Sequence, residues 1–487
     1  MKTIKEARII GVLILSILYA TGCDDFLEKE PQGQVSSENF FQSQIDAESA
    51  LIGAYDMFHS EYYIFDMFIN SDVTSDNCYA GGDNPNNFQI DNLSVAPTNV
   101  NIERDWRYLY QGVARANTVL NKVPEIPEEN FNDPGRKQQI LGEASFLRAF
   151  HYFQLVNLWG PVPLVLDLVT STDPEDINLP NNPTEAVYEQ IIFDLEFALD
   201  VLPQSFGNNI IDKSRVTQGA AHAMLARAYA FRPSPDWEKV REHSEMVISS
   251  GQYSLLTDFD NLFDEQNENS EESILEIQFT DVPEASWGPQ MWLTPSLTGD
   301  SWRKFNTPSN DLIAAFESEN DEVRLNSSLI IEGGVPWTDE FYPSGDIPFP
   351  WKWRTANGWA SQNNTILLRL AEVILWHAEA LNELGNTAGA IADINQIRNR
   401  AELPNTSASS VEEIRQAIYK ERRLELAFEG LRWFDLKRTG QAINVMNNIR
   451  HPITGVNLYN MSERDLLWPI PQIEMDKNTN LVQNQGY

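Results

Sequence analysis

The chain has 487 residues, more than one ordinary core holds, and its 71 acidic against 35 basic side chains give a formal charge of −36. A surface this acidic repels itself, stays soluble and argues against a nucleic-acid partner. The two cysteines, Cys23 and Cys78, are too few for a disulfide framework.

Lys2, Lys5 and Arg8 precede the apolar run Ile9 to Ala20, whose 12 residues are too short to span a bilayer as a helix. This reads as a secretory signal over 1–22. Ala20-Thr21-Gly22 place small side chains before Cys23, the pattern a lipoprotein-type signal peptidase needs, so Cys23 is the expected lipidated N-terminus of the mature chain. Asp24 and Asp25 beside it resemble the signal that sends lipoproteins to the outer face of the outer membrane. Loss of 1–22, with three basic residues and one acidic, carries the charge to −38.

Beyond an anchor segment over 23–45, the remainder, 46–487, reads as a single domain. Ala47, Ala50, Leu51, Ala54, Tyr55 and Phe58 predict a helix over 46–60. Residues 71–101 are rich in Asp, Asn, Gly and Pro and read as a long loop carrying Tyr79, Asn84, Asn86, Asn87 and Phe88 as ligand candidates. Cys78 within it has no partner and reads as a small buried group.

A helix over 103–123 follows, then the stretch that organises the body, ILGEASFLRAFHYFQLVNLWGPVPL at 140–164. Leu141, Ala144, Leu147, His151, Leu155 and Leu158 draw one stripe and Phe146, Phe150 and Phe153 a second, so this helix belongs at the centre. Gly160-Pro161 stops it. Glu143 and Arg148 inside it are expected to be structural, each paired in the interior.

Residues 184–202 predict a further helix. Two tandem helices, 216–231 and 236–249, form a hairpin whose first member is rich in alanine, and a similar pair lies at 367–381 and 388–400. The fold class is therefore all-α, a body of tetratricopeptide-like hairpins. A loop-rich portion with short strands interrupts it near 281–364.

Seven of the 13 tryptophans fall in that portion, at 287, 292, 302, 337, 351, 353 and 359. A stabilising core is more naturally built from Leu, Ile and Val on regular elements, so Trp287, Trp292, Trp302, Trp337 and Trp359 are read as candidate ligand platforms with Arg303 as a polar partner. Trp351 and Trp353 alternate with Lys352 and Arg354, which assigns them to one face of a short strand packed on the body.

CDDFLEKEP at Cys23, EASFLRAFHYFQLVNLWGPVPL, SRVTQGAAHAMLARAYA, LLRLAEVILWHAEALNELGN, ERRLELAFEGLRWFDLKRTG and the closing LLWPIPQIEMDKNTNLVQNQGY occur in this order. Together they resemble the SusD/RagB family of lipid-anchored nutrient-binding proteins. The resemblance implies four tetratricopeptide-like units packed as a lid on a SusC-like TonB-dependent transporter of the outer membrane, with a glycan site on the irregular portion. A neutral glycan is the expected cargo and a peptide the alternative.

Catalysis is the competing class. The row Glu421, Glu425 and Glu429 beside Arg422, Arg423 and Arg432 is better explained by ion pairing than by acid–base work, and no nucleophile elbow or phosphate loop occurs. The six histidines show no zinc-ligand spacing, no calcium loop is present, and no cofactor is expected.

Overall fold

In the computed structural model, residues 40–355 and 357–487 are described. The signal segment, Cys23 and most of the anchor segment lie outside them. Among the described residues no helix is long and apolar enough to cross a membrane.

The helical body is built around α4 (Arg136–Trp159), in which every residue from Ile140 to Trp159 is buried. Both aromatic and aliphatic stripes are covered, as their all-round apolar character requires. α3 (Val100–Lys122) and α5 (Thr184–Val201) flank it, and α1 (Gln44–Tyr55) lies across α3 and α4. Gly160, at φ +71, ends α4 in a conformation a side chain would resist.

The charges inside α4 are paired. Glu143, fully buried, accepts from Arg136, Arg215 and the Tyr55 hydroxyl, and Arg148 makes a two-point contact with Asp194. Burial outweighs Arg136 and raises the Glu143 carboxyl to about 7.

The alanine-rich α6 (Gln218–Phe231) and α7 (Trp237–Ser249) form one hairpin, and α9 (Leu370–Glu383) and α10 (Thr387–Arg400) form the next, with α7 packed on α9. α11 (Val411–Glu425) closes this end. Small residues let these helices approach closely, the packing expected of tetratricopeptide-like units.

Three two-stranded antiparallel pairs serve the irregular portion. β1 (Cys78–Tyr79) pairs with β3 (Thr307–Pro308), β2 (Ser273–Ile277) with β6 (Thr365–Arg369), and β4 (Leu329–Glu332) with β5 (Ile347–Pro350). The strand expected at Trp351–Trp353 is in fact the preceding segment, 347–350. Trp353 is nevertheless buried and meets Phe68 edge to face at 4.8 Å, so its structural assignment holds.

Residues 71–101 are not a surface loop. Two π-helical turns, Tyr62–Asp66 and Ile69–Val73, lead into β1, and α2 (Pro85–Asp91) follows. The polar run from Asn70 to Asn77 is fully buried. Its two carboxylates find partners inside: Asp76 with Arg423 and Arg432, and one Asp72 oxygen with the Gly430 amide. Buried polar groups with partners carry the segment into the interior, which composition alone does not reveal.

The glutamate row of α11 is paired, but with arginines from other elements. Glu421 meets Arg324 and Arg398; Glu425 meets Arg324, Arg369 and Arg400; Glu429 meets Arg369 and Lys352. Most of these groups are buried, so the network ties the end of α11 to α10, to the β2–β6 pair, to the short helix Glu322–Ser328 and to the segment at Lys352.

Candidate functional site

The two regions singled out for ligand contact meet through β1 and β3, where Tyr79 lies opposite Thr307. Gly81 and Gly82 make the approach possible. A Cβ on Gly81 would sit 1.8 Å from the Lys304 carbonyl oxygen, and one on Gly82, at φ +69, would strike the Phe305 ring.

From this junction a chain of rings runs from core to surface. Trp292 is 1 % exposed and lies parallel to Phe65 at 5.6 Å, with Phe68 and Trp353 on its other sides. It is a core residue, and its expected role as a platform is corrected: no face of the indole is free. Phe65 also touches Trp287 at 5.5 Å and Phe305 at 5.8 Å, so Trp287 is mostly committed to packing. Phe305 meets Trp302 at 5.9 Å, and Trp302 faces Trp359 at 6.4 Å with 30° between the planes.

Trp359, 54 % exposed, is the only tryptophan among the large exposed apolar side chains of the described residues. Its φ of +70°, following Asn357 and Gly358 also at positive φ, places a bulky side chain in the left-handed region. Such strain persists only where the surroundings enforce it. Here the Ser286–Ser361 bridge, two backbone hydrogen bonds of 2.8 and 2.9 Å, pins the base of the turn.

Trp302 is supported from behind. The Lys304 ammonium lies 4.1 Å from its ring centre and is itself buried, held by Asp300 at 2.7 Å, the Gln290 carbonyl and Thr298. Arg303 beside it pairs with Asp339 at 3.0 Å, and the other Asp339 oxygen accepts from the Phe341 amide at 2.9 Å. This pair links the Trp302 loop to the 337–342 segment.

Tyr79 is 6 % exposed and wedged against Phe341 at 4.4 Å and Tyr342 at 6.4 Å. It does not reach solvent as a platform, but it forms one wall of a cavity of about 320 Å³, together with Phe341, Tyr459, Asn310, Asp311 and Arg450. Phe341, Tyr459 and Asn310 are functional candidates that sequence reading missed. Asn310 and Phe341 lie within the tryptophan-rich portion and Tyr459 far outside it, and the three come together only through tertiary structure.

The remaining candidates make packing and capping contacts. Trp337 meets Phe349 edge to face at 6.4 Å over the β4–β5 pair. Phe88 packs on the core. Asn84 caps α2 by accepting from the Asn86 backbone amide at 2.9 Å, and the buried Asn87 side chain accepts from the Asn101 side chain.

The exposed Trp359 and the half-buried Trp302 face each other, and a separate cavity with aromatic walls lies at Tyr79 and Phe341. Residues 348–487 match the SusD family, and residues 25–230 match the family described as starch-binding associating with outer membrane. Together the two regions take in well over half of the sequence, and the chain belongs to the SusD family.

It is similar to SusD-like protein P38 of Formosa agariphila, 28 % identical over the whole of both chains. Starch-binding protein SusD of Bacteroides thetaiotaomicron is 24 % identical over 86 % of this chain and 84 % of its own. Among solved structures, a laminarin binding SusD-like protein superposes with a TM-score of 0.77 at 26 % identity, covering 92 % of this chain and all of its own. A SusD homolog from B. thetaiotaomicron gives 0.79 at 24 % identity, covering 94 % and 100 %.

Proposed function

We propose that this protein is a cell-surface lipoprotein that captures a neutral oligo- or polysaccharide and hands it to a SusC-like TonB-dependent transporter. Cys23 carries the lipid anchor, and 46–487 act as one capture domain at the outer membrane. The observation that carries the reading is the Trp302–Trp359 pair, two partly exposed indoles braced by Phe305 and the buried Lys304.

A sugar ring presents an apolar C–H face that covers an indole, and its hydroxyls need donors and acceptors at the rim. Covering about 100 Å² on Trp359 gives roughly 2–3 kcal/mol gross, and the half-buried Trp302 contributes less. After association and ordering costs, two platforms leave affinities of about millimolar to micromolar, weak enough for release into a transporter.

Electrostatics favour an uncharged cargo. Around the indoles, Arg303 is paired with Asp339 and Lys304 with Asp300, while Asp281 and Glu284 are exposed. At the two indoles a sulfated or uronate polymer would meet repulsion from these carboxylates, with the adjacent Arg303 and Lys304 already engaged. The names of the laminarin binding SusD-like protein and of the starch-binding SusD relative support a glucan-like cargo.

Titrating the mature protein with neutral and sulfated oligosaccharides while following tryptophan emission tests this. A saturable change with a neutral oligosaccharide supports the reading. A response to peptides alone would move the cargo to the alternative class.

A further inference from the structure

Outside the glycan site, one pair of side chains stands in an arrangement that the proposed function does not use. His222 on α6 and His243 on α7 face each other across the helical hairpin with their Nδ1 atoms 3.0 Å apart. His243 is 6 % exposed, and the Tyr229 ring lies parallel to it at 5.7 Å. His222 is partly exposed and opens the pair to solvent.

A plain hydrogen bond between two imidazoles explains the distance, with one Nδ1 protonated and the other accepting. The same distance suits a second occupant. Two nitrogens bound about 2.0–2.1 Å from one ion at neighbouring positions of a tetragonal site lie about 2.9 Å apart. If both rings carry their proton on Nε2, both Nδ1 lone pairs turn inward.

We propose that His222 and His243 form a two-imidazole site for a divalent transition-metal ion of tetragonal preference, Cu2+ or Ni2+, with water completing the coordination. Among the described residues no group of three His, Cys, Asp or Glu side chains is placed to hold a metal, so the protein supplies these two ligands. Both rings are in the ligand form at neutral pH. Burial lowers the His222 pKa, and burial followed by the neighbouring His222 lowers that of His243 to about 4.

The charged neighbours are mixed: Lys239 opposes a cation at His243 and Glu242 favours one. Lys239, one turn before His243, is engaged by Glu242 at 2.9 Å, and Glu196 accepts from the Tyr229 hydroxyl at 3.0 Å on the facing side. Spacing hid the site: 21 residues separate the two histidines, and only the hairpin brings them together.

The test uses the untagged mature chain with Cu2+ alone as probe, in 10 mM calcium to occupy surface carboxylates. The proposal predicts one Cu2+ per chain with micromolar dissociation and an electron paramagnetic resonance spectrum split by two nitrogens. His222→Gln is expected to weaken binding at least 30-fold and to reduce the splitting to one nitrogen or none. Because His243 is buried, His243→Gln is read alongside its melting curve, while the more exposed His222→Gln carries the decision. Absence of two-nitrogen splitting in the wild type, or an unchanged spectrum in His222→Gln, overturns the proposal.

Discussion

Replacing Trp359 by asparagine separates a ligand platform from a structural ring. The backbone there sits at φ +70°, a region that a bulky residue occupies at a cost of roughly 1 kcal/mol and that asparagine tolerates. The substitution also removes the edge of the Trp302–Trp359 contact, worth about 0.5–1 kcal/mol. These terms nearly cancel, so Trp359→Asn is predicted to change unfolding free energy by no more than about 0.5 kcal/mol in urea titrations. Binding responds differently. With 54 % of the residue exposed, about 100 Å² of ring is available to a sugar, and its loss removes roughly 1–2 kcal/mol net, a 5- to 30-fold drop in glycan affinity. Stability and affinity are read on the same preparation, by denaturation and by fluorescence titration. Destabilisation beyond about 2 kcal/mol would make the ring structural, and unchanged affinity would remove it from the site; either result refutes the reasoning.

Trp292→Ala behaves in the opposite way, losing about 3–5 kcal/mol by denaturant melting because the ring is buried and stacked on Phe65. Glu425→Gln leaves Arg324, Arg369 and Arg400 undercompensated in the interior and is expected to cost about 3–5 kcal/mol, measured by calorimetry. Burial opposes ionisation of Glu425, but those three arginines hold its carboxyl well below the usual range; Arg423 and Arg432 likewise hold Asp76 at about 2. Carboxyls depressed in the folded state contribute stability above their unfolded values near 4, and that contribution is lost as pH falls toward 2, which predicts a steep acid transition in circular dichroism. Asp91 has the reverse sign. Burial raises it to about 7 despite hydrogen bonds from the Ala80 amide and Tyr459, so the folded state holds the extra proton between about pH 4 and 7, and stability falls as pH rises through that window. Asp91→Asn should flatten that slope, seen by comparing urea midpoints at pH 5 and pH 8.

The helical body was legible because its periodicity is local. The doubled stripe of 140–158 predicts a fully covered helix, and Gly160-Pro161 predicts its end; both appear, with Glu143 and Arg148 paired inside as expected. The ion pairs of the glutamate row at the end of α11 were legible in kind and not in partner, since Glu421, Glu425 and Glu429 reach arginines on a helix and a strand remote in sequence. Residues 71–101 were misread because polarity signals solvent only when polar groups lack internal partners. Asp72 and Asp76 find theirs more than 300 residues away. Within the tryptophan cluster, composition could not sort buried Trp292 from exposed Trp359. That distinction depends on Phe65 and Phe68, delivered by π-helical turns with no periodic signature.

The central claim is that Trp302 and Trp359 capture a neutral glycan. The most direct test is native electrophoresis of the mature protein and of its Trp302→Ala/Trp359→Ala variant through gels containing neutral or acidic polysaccharides. The account predicts retardation of the wild type by at least one neutral polymer, none by sulfated polymers, and free migration of the double variant with its helical circular dichroism intact. Retardation that survives the loss of both indoles, or that requires an acidic polymer, would contradict it.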